Sequence, residues 1–512
     1  MILINNSDEL FILIKSMTMS EKRYFKLASK RFIGEKNNYI RIFEVIEKQK
    51  VYNEGAIIKQ FRDKKFTKQF AVVKNYLYKL ILKAMRGYNG TTSIDVELKG
   101  MLIDIDFLYY KGLYAQSSKV LKKAKQFAYQ YEQYAGILEL LEKERLLNLQ
   151  RGEDILSMET KNDLFVTEKK DVLNKINNIE DYQIIQDRLL LYSRKVGINK
   201  PKDEVGCHEL INQPLLKDEQ LAITSKSKRL FFNSNAQLYS LIENFPASYE
   251  YRKKLLDFIN SHPEQLKAHP EIYVTAYINI ILTCCEQKKY KEAISHIDKL
   301  RKFKVNYEEL NVKIFQTGYL HELLILENIG QYEKAVTIIP EIEKGLKVYK
   351  KKINRIYEII FYYNIACIYI GAGKYNDALT WNNKLLNDME ADIRHDVLSH
   401  ARIINLIIHF ELGNFEQLQY LVKSTYNFLY KKKSLHKVET VFLNFIKKNL
   451  PYVNNKELII SFIELKRKLL SISKKPLEGH GGEYFDFISW VESKIENRPF
   501  TEIVKEKYFE KG

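Results

Sequence analysis

Apolar residues recur at three- and four-residue spacing along most of the chain, the signature of helices that bury one face. Strand-like alternation bounded by turn signals is scarce, so the expectation is an all-α protein. Residues 358–386 give the clearest unit. Tyr362, Ile365, Ala366 and Tyr369 fall on one helical face, Gly371 and Gly373 break the helix, and Tyr375, Ala378, Asn382 and Leu385 resume the spacing on a second one. Alanine stands on both helices where a neighbouring backbone must come close.

The same arrangement repeats. An aromatic opens the second helix at Phe245, Tyr290, Tyr332, Tyr375 and Phe415, in steps of 45, 42, 43 and 40 residues. Three positions on stand Ser248, Ala293, Ala335, Ala378 and, as the exception, Leu418, and the turn glycine is present as Gly330, Gly373 and Gly413. Five copies at constant internal spacing predict an array of helical hairpins. An earlier, degenerate copy runs through Met101, Asp104, Ile105 and Leu108, then Gly112, Tyr114, Ser117, Leu121 and Ala124.

This pattern resembles the tetratricopeptide repeat, W-x2-L-G-x2-Y followed by A-x3-F. Tyr362 takes the tryptophan site, Ile365 and Ala366 the Leu-Gly pair, Tyr369 the tyrosine and Ala378 the small residue. Asn382 replaces the second aromatic, the closing proline is missing, and the period exceeds the standard 34 residues. The resemblance implies a solenoid in which the first helix of each repeat lines a concave groove, with the residue two after the tryptophan site facing into it. Those residues are Asn279, His321 and Asn364, and Tyr363 and Leu324 would add apolar contacts beside them. Amide and imidazole groups there would bind a protein or peptide through its backbone or a carboxylate.

The expected organisation is a basic N-terminal helical domain at 1–90, a helical block at 91–195, a hinge or long connector at 196–228, the array at 229–433 and a C-terminal helical cap at 434–512. Gly197, Pro201, Gly206 and Pro214 mark the connector, and the Gly479-His480-Gly481-Gly482 stretch reads as a flexible loop. Phe485, Ile488, Trp490 and Val491 have the apolar content to close the end of the array. Near the start, Met19-Ser20 suggests a capped helix with Met19 stapled against Tyr24.

Charge adds a second feature. Residues 1–90 hold 19 Lys and Arg against 8 Asp and Glu, a net of +11 out of +18 for the whole chain. A short helix ending near Phe61 and a basic turn precede a long helix with the seam Phe66, Phe70, Val73, Leu77, Leu80 and Ala84. Lys68, Asn75, Lys79 and Arg86 form a separate stripe on it, as a phosphate-contacting helix would. The connections between repeats are also basic: Arg301 to Lys304, residues 344–355 including Lys350, Lys351 and Lys352, and Lys431 to Lys433. Stacked along one edge, they would present a positive rim to an acidic partner.

Catalytic motifs are missing: there is no GxxxxGK[ST], H-E-x-x-H or G-x-S-x-G, and no Cys/His cluster at zinc spacing. Adjacent Cys284 and Cys285 read as packing residues, and four cysteines without C-x2-C pairing fit a reducing cytoplasm. No uncharged run reaches the roughly 20 residues of a membrane span. The expectation is a cytoplasmic, non-enzymatic scaffold without cofactor or metal. The alternative is a regulator whose basic N-terminal domain contacts nucleic acid while the array senses a peptide or protein.

Overall fold

The computed structural model describes residues 9–33, 38–62, 64–89, 94–150, 155–198, 210–263, 269–305, 307–350, 352–387, 394–432, 437–449, 455–472 and 485–510. Every element among them is helical, and no helix among them is long and apolar enough to cross a membrane. The chain packs as two compact units: residues 1–184 with 218–228, and residues 185–217 with 229–512.

The first unit opens with α1 (Glu9–Ser16), α2 (Met19–Ile33), α3 (Asn38–Lys48), α4 (Glu54–Gln60) and α5 (Phe70–Asn89), the last preceded by a 3-10 turn at Lys65–Gln69. Phe70, Val73, Leu77, Leu80 and Ala84 are buried with Phe25, Phe43 and Ile46, so the predicted seam is the face that packs; the side chain of Phe66 lies outside the described residues. The start of α2 differs from the expectation. Thr18 and Glu21 form a capping box: the Thr18 amide donates to the Glu21 carboxylate at 2.6 Å, and the Glu21 amide donates to the Thr18 hydroxyl at 3.2 Å. Because Thr18 already satisfies the first amides, no staple is needed, and Met19 is 79% exposed. The unit continues with α6 (Ile94–Tyr110), α7 (Tyr114–Gln130), α8 (Tyr134–Leu149) and α9 (Ile155–Ile198). Helix α9 runs through Gly197, where a break was expected, and gives residues 185–198 to the second unit. Pro201, Gly206 and Cys207 lie outside the described residues.

The second unit adds α10 (Pro214–Lys217) and then five consecutive hairpins: α11 (Ser225–Leu241) with α12 (Phe245–Asn260), α13 (Pro270–Glu286) with α14 (Tyr290–Lys302), α15 (Glu308–Asn328) with α16 (Tyr332–Val348), α17 (Arg355–Gly371) with α18 (Tyr375–Leu386), and α19 (His395–Glu411) with α20 (Phe415–Lys431). It ends with α21 (Lys437–Asn449), α22 (Asn455–Ile472), α23 (Phe487–Glu496) and α24 (Phe500–Glu510). Residues 210–217 are packed rather than looped out: Leu210 and Leu216 are buried against Ile185, Leu189 and Leu238. First helices of successive hairpins, such as α13 with α15 and α15 with α17, also touch one another.

One turn geometry joins the helices of each hairpin. The middle residue of a three-residue turn is left-handed, and the residue after it donates its amide across six residues to the preceding helix. Lys374 donates to Tyr369 at 2.8 Å, Gln331 to Leu326 at 2.8 Å and Asn414 to His409 at 3.0 Å. This arrangement satisfies carbonyls that a helix end leaves free. It recurs in seven turns among the described residues, with Gly112, Gly330, Gly373 and Gly413 at the left-handed position in four and Glu132, Glu243 and Lys288 in three. Beyond the turn, Ser117, Ser248, Ala293, Ala335, Ala378 and Leu418 are fully buried where the two helices meet. Two of them add a bond: the Ser248 hydroxyl donates to the Ala236 carbonyl at 2.7 Å, and Ser117 donates to Ile105 at 3.0 Å. Asn382 works the same way, donating to the Ala401 carbonyl at 3.1 Å from a fully buried position.

A Cβ on Gly373 would meet nothing within 4 Å, so substitution there isolates the backbone term. Gly373→Ala is expected to lower stability by about 1 kcal/mol, because an L side chain resists the left-handed region. Glu243→Gly is expected to shift stability the other way by less, since glycine's freedom in the unfolded chain takes back part of the gain. Thermal unfolding midpoints of the two variants check both signs.

Candidate functional site

The residues predicted to face a ligand stand on α13, α15 and α17. Asn279, His321 and Leu324 are half-buried, whereas Tyr363 and Asn364 are 2% and 3% exposed. Two of the polar groups are already used locally: the Asn364 amide donates to the Ile360 carbonyl at 2.8 Å, and His321 Nδ1 donates to the Thr317 carbonyl at 2.8 Å. Tyr363 accepts a hydrogen bond from the backbone amide of Phe485 at 3.3 Å. Tyr363 and Asn364 therefore do not form open groove wall as expected, and Tyr363 is covered by the protein's own C-terminal segment.

That segment spans residues 485–510, and from Trp490 onward its contacts pass from the fifth hairpin back to the second. Asp486 caps α23 by accepting from the Ser489 amide at 3.0 Å, and left-handed Asn497 ends it. Trp490 is 1% exposed; its ring packs against Phe410, Phe442 and Phe462, and its indole N–H donates to Glu411 at 2.6 Å. Lys494 pairs with the same carboxylate at 2.6 Å, so the charge at the end of α19 is balanced. Phe500 then lies against Tyr332, ring centroids 5.5 Å apart, and Thr501 donates to the Gly371 carbonyl at 2.8 Å. Farther on, the backbone of α24 passes Gly330, and Tyr508 reaches Tyr290 with centroids at 5.9 Å. The two helices are tied to each other by Lys507, which pairs with Glu492 and donates to the Ser489 hydroxyl at 2.8 Å.

Of the apolar residues expected to close the end of the array, Phe485, Trp490 and Val491 are buried and Ile488 is half-buried. The segment is not confined to the last hairpin. Its second helix continues back to the third and second hairpins, because each hairpin offers an aromatic or a helix-end carbonyl beside its turn.

Under this segment the electrostatics are unusual. Half-buried Glu327 has its carboxyl raised to about 8, first by burial and then by the acidic side chain of Asp486. Burial likewise pushes the Tyr363 phenol and the Cys367 thiol well above their ordinary values.

The basic candidates divide. Lys68, Asn75, Lys79 and Arg86 are all exposed on the side of the 3-10 turn and α5 that faces away from the buried seam. Lys74, one position from that stripe, is instead paired with Glu54 at 2.5 Å. Between the hairpins, Lys350 is exposed, Lys352 is paired with Glu308, and Lys351 lies outside the described residues. Arg301 pairs at 2.5 Å with Glu322, itself 7% exposed, and stacks on Tyr319, while Arg355 pairs with Glu358. Part of the expected positive rim is thus neutralised locally. Comparison with protein-family models and with curated proteins finds no match.

Glu327 gives a test by pH. Its value in the docked state lies above its ordinary 4.5, so docking takes up a proton at this site. The contribution favours docking below about pH 4.5 and is lost as pH rises through about 8. Amide exchange in residues 485–510 is expected to speed up between pH 6 and pH 8.5 beyond the intrinsic rate change, and Glu327→Gln is expected to remove the excess. The same excess in that variant would assign the effect to another group.

Proposed function

We propose that this chain is a tetratricopeptide-like solenoid serving as a cytoplasmic, non-enzymatic scaffold, and that it holds a helical protein segment against the turn ends of its hairpins. The observation that carries this reading is the C-terminal segment itself. Its contacts are those a bound peptide would make: a backbone amide on Tyr363, an indole and an ammonium on Glu411, a hydroxyl on the Gly371 carbonyl and an aromatic on Tyr332. Helix-on-groove recognition works by such spaced anchors with polar groups fixing the register.

On this reading residues 485–510 are a tethered occupant, and an external partner competes with them. A tether raises the effective concentration of the internal segment to roughly millimolar. Only a partner with better anchors, or one that also binds elsewhere, displaces it. The partner chemistry follows from the occupant: an amphipathic helix with aromatic residues about two to three turns apart, an acidic cap at its start and a cation for Glu411. The exposed stripe on α5 is equally a solvated helix face, and it does not enter the proposal.

The test uses a labelled peptide spanning residues 485–510 and a chain ending at residue 484, with folding checked by far-ultraviolet circular dichroism. Saturable binding with a dissociation constant on the order of micromolar is expected, and the complete chain should bind the peptide roughly a thousandfold more weakly. No binding to the shortened chain, or equal binding to both, would remove the face as a ligand site.

A further inference from the structure

The second hairpin brings three metal-type donors together. Cys284 stands on the last turn of α13, the chain reverses through Lys288, and Glu292 and His296 follow one helical turn apart on α14. One donor atom from each residue lies within 4.8 Å of the other two. Cys284 is fully buried and His296 is 8% exposed. His296 Nε2 lies 3.6 Å from a Glu292 oxygen, while its Nδ1 is buried without a hydrogen-bond partner. Glu292 is held from outside: Tyr249, on α12, donates its hydroxyl to the carboxylate, 2.6 and 2.7 Å from its two oxygens. Tyr249 in turn carries the Lys289 ammonium 3.3 Å from its ring centroid.

We propose that Cys284, Glu292 and His296 form a binding site for one zinc-class divalent cation. Thiolate, imidazole and carboxylate together are a donor set that suits zinc and excludes the hard cations magnesium and calcium. Charge agrees, since a thiolate and a carboxylate cancel a doubly charged ion and leave the buried site neutral. The second layer agrees as well, because a ligating carboxylate is ordinarily oriented by a hydrogen bond from outside, the part Tyr249 plays. A tetrahedral ion with bonds of about 2.0–2.3 Å spaces its donors about 3.3–3.8 Å apart, so the three side chains need contract by only about 1 Å. The fourth position falls to water.

Protonation fits this assignment. Burial pulls His296 below its ordinary value, which keeps the imidazole neutral and able to ligate. Burial pushes the Cys284 thiol up to about 12, so the metal-free thiol keeps its proton. A thiol that ligates gives up its proton, so metal binding releases one proton from sulfur to solvent as the metal–sulfur bond forms.

The test is a titration of the complete chain, freed of metal by chelator, with cobalt(II). One equivalent is expected to give a sulfur-to-cobalt charge-transfer band in the near ultraviolet that zinc abolishes. Cys284→Ser should lose the band and Cys285→Ser should keep it, since adjacent residues point to different sides of a helix. Tyr249→Phe should keep the band and weaken cobalt binding roughly 10- to 100-fold. The absence of the band from the unmodified chain, or its persistence in Cys284→Ser, would overturn the assignment.

Discussion

The three-residue turn with a left-handed middle residue and a bond across six residues is the constraint on which the second unit depends. It fixes where the second helix of each hairpin begins, and so which of its residues meets the first helix. The fully buried Ala293, Ala335 and Ala378 are the consequence. A longer or looser turn would move a different residue to the crossing point, and a larger side chain at these three positions would press on the facing helix, whereas the fifth hairpin is built around Leu418. The geometry matters enough that Glu132, Glu243 and Lys288 adopt it with side chains that resist it.

Repeating the turn also places equivalent groups at equivalent ends of successive hairpins. The C-terminal pair of helices exploits this. Glu411, the Gly371 carbonyl, the close approach at Gly330 and the ring of Tyr290 belong to four successive hairpins and are met in that order by Trp490, Thr501, Lys505 and Tyr508. A segment that meets four hairpins at once gains affinity from many modest contacts, and a change at one of them weakens the docking locally. Glu327 is such a place, since burial and the nearby Asp486 raise its carboxyl well above the ordinary range.

Much of this fold was legible in the sequence, because the aromatic, the small residue three positions on and the glycine recur with a period. The turns at Glu243 and Lys288 lack the glycine and carried no such mark. The docking of residues 485–510 could not be read, because its contacts span intervals such as the 130 residues between Gly371 and Thr501 and have no period. The same separation explains why Tyr363 passed for open groove wall. The Cys284, Glu292 and His296 cluster escaped for a different reason: only Glu292 and His296 share a helix, and the thiol arrives from across the turn. At the start of α2 the spacing of Thr18 and Glu21 matches a capping box, which places the cap one residue before the expected Met19-Ser20.

The C-terminal helices lie against the hairpin turns, and Gly330 tests this most directly. A Cβ there would come within 2.8 Å of the Lys505 side chain and within 3.0 and 3.1 Å of backbone atoms of Lys505 and Thr501, so α24 would have to move. Gly373 shares the left-handed turn conformation but has open space around it. Amide hydrogen exchange should show protection of residues 500–510 lost in Gly330→Ala and kept in Gly373→Ala. Equal protection in the two variants would contradict the docking of α24 on the array.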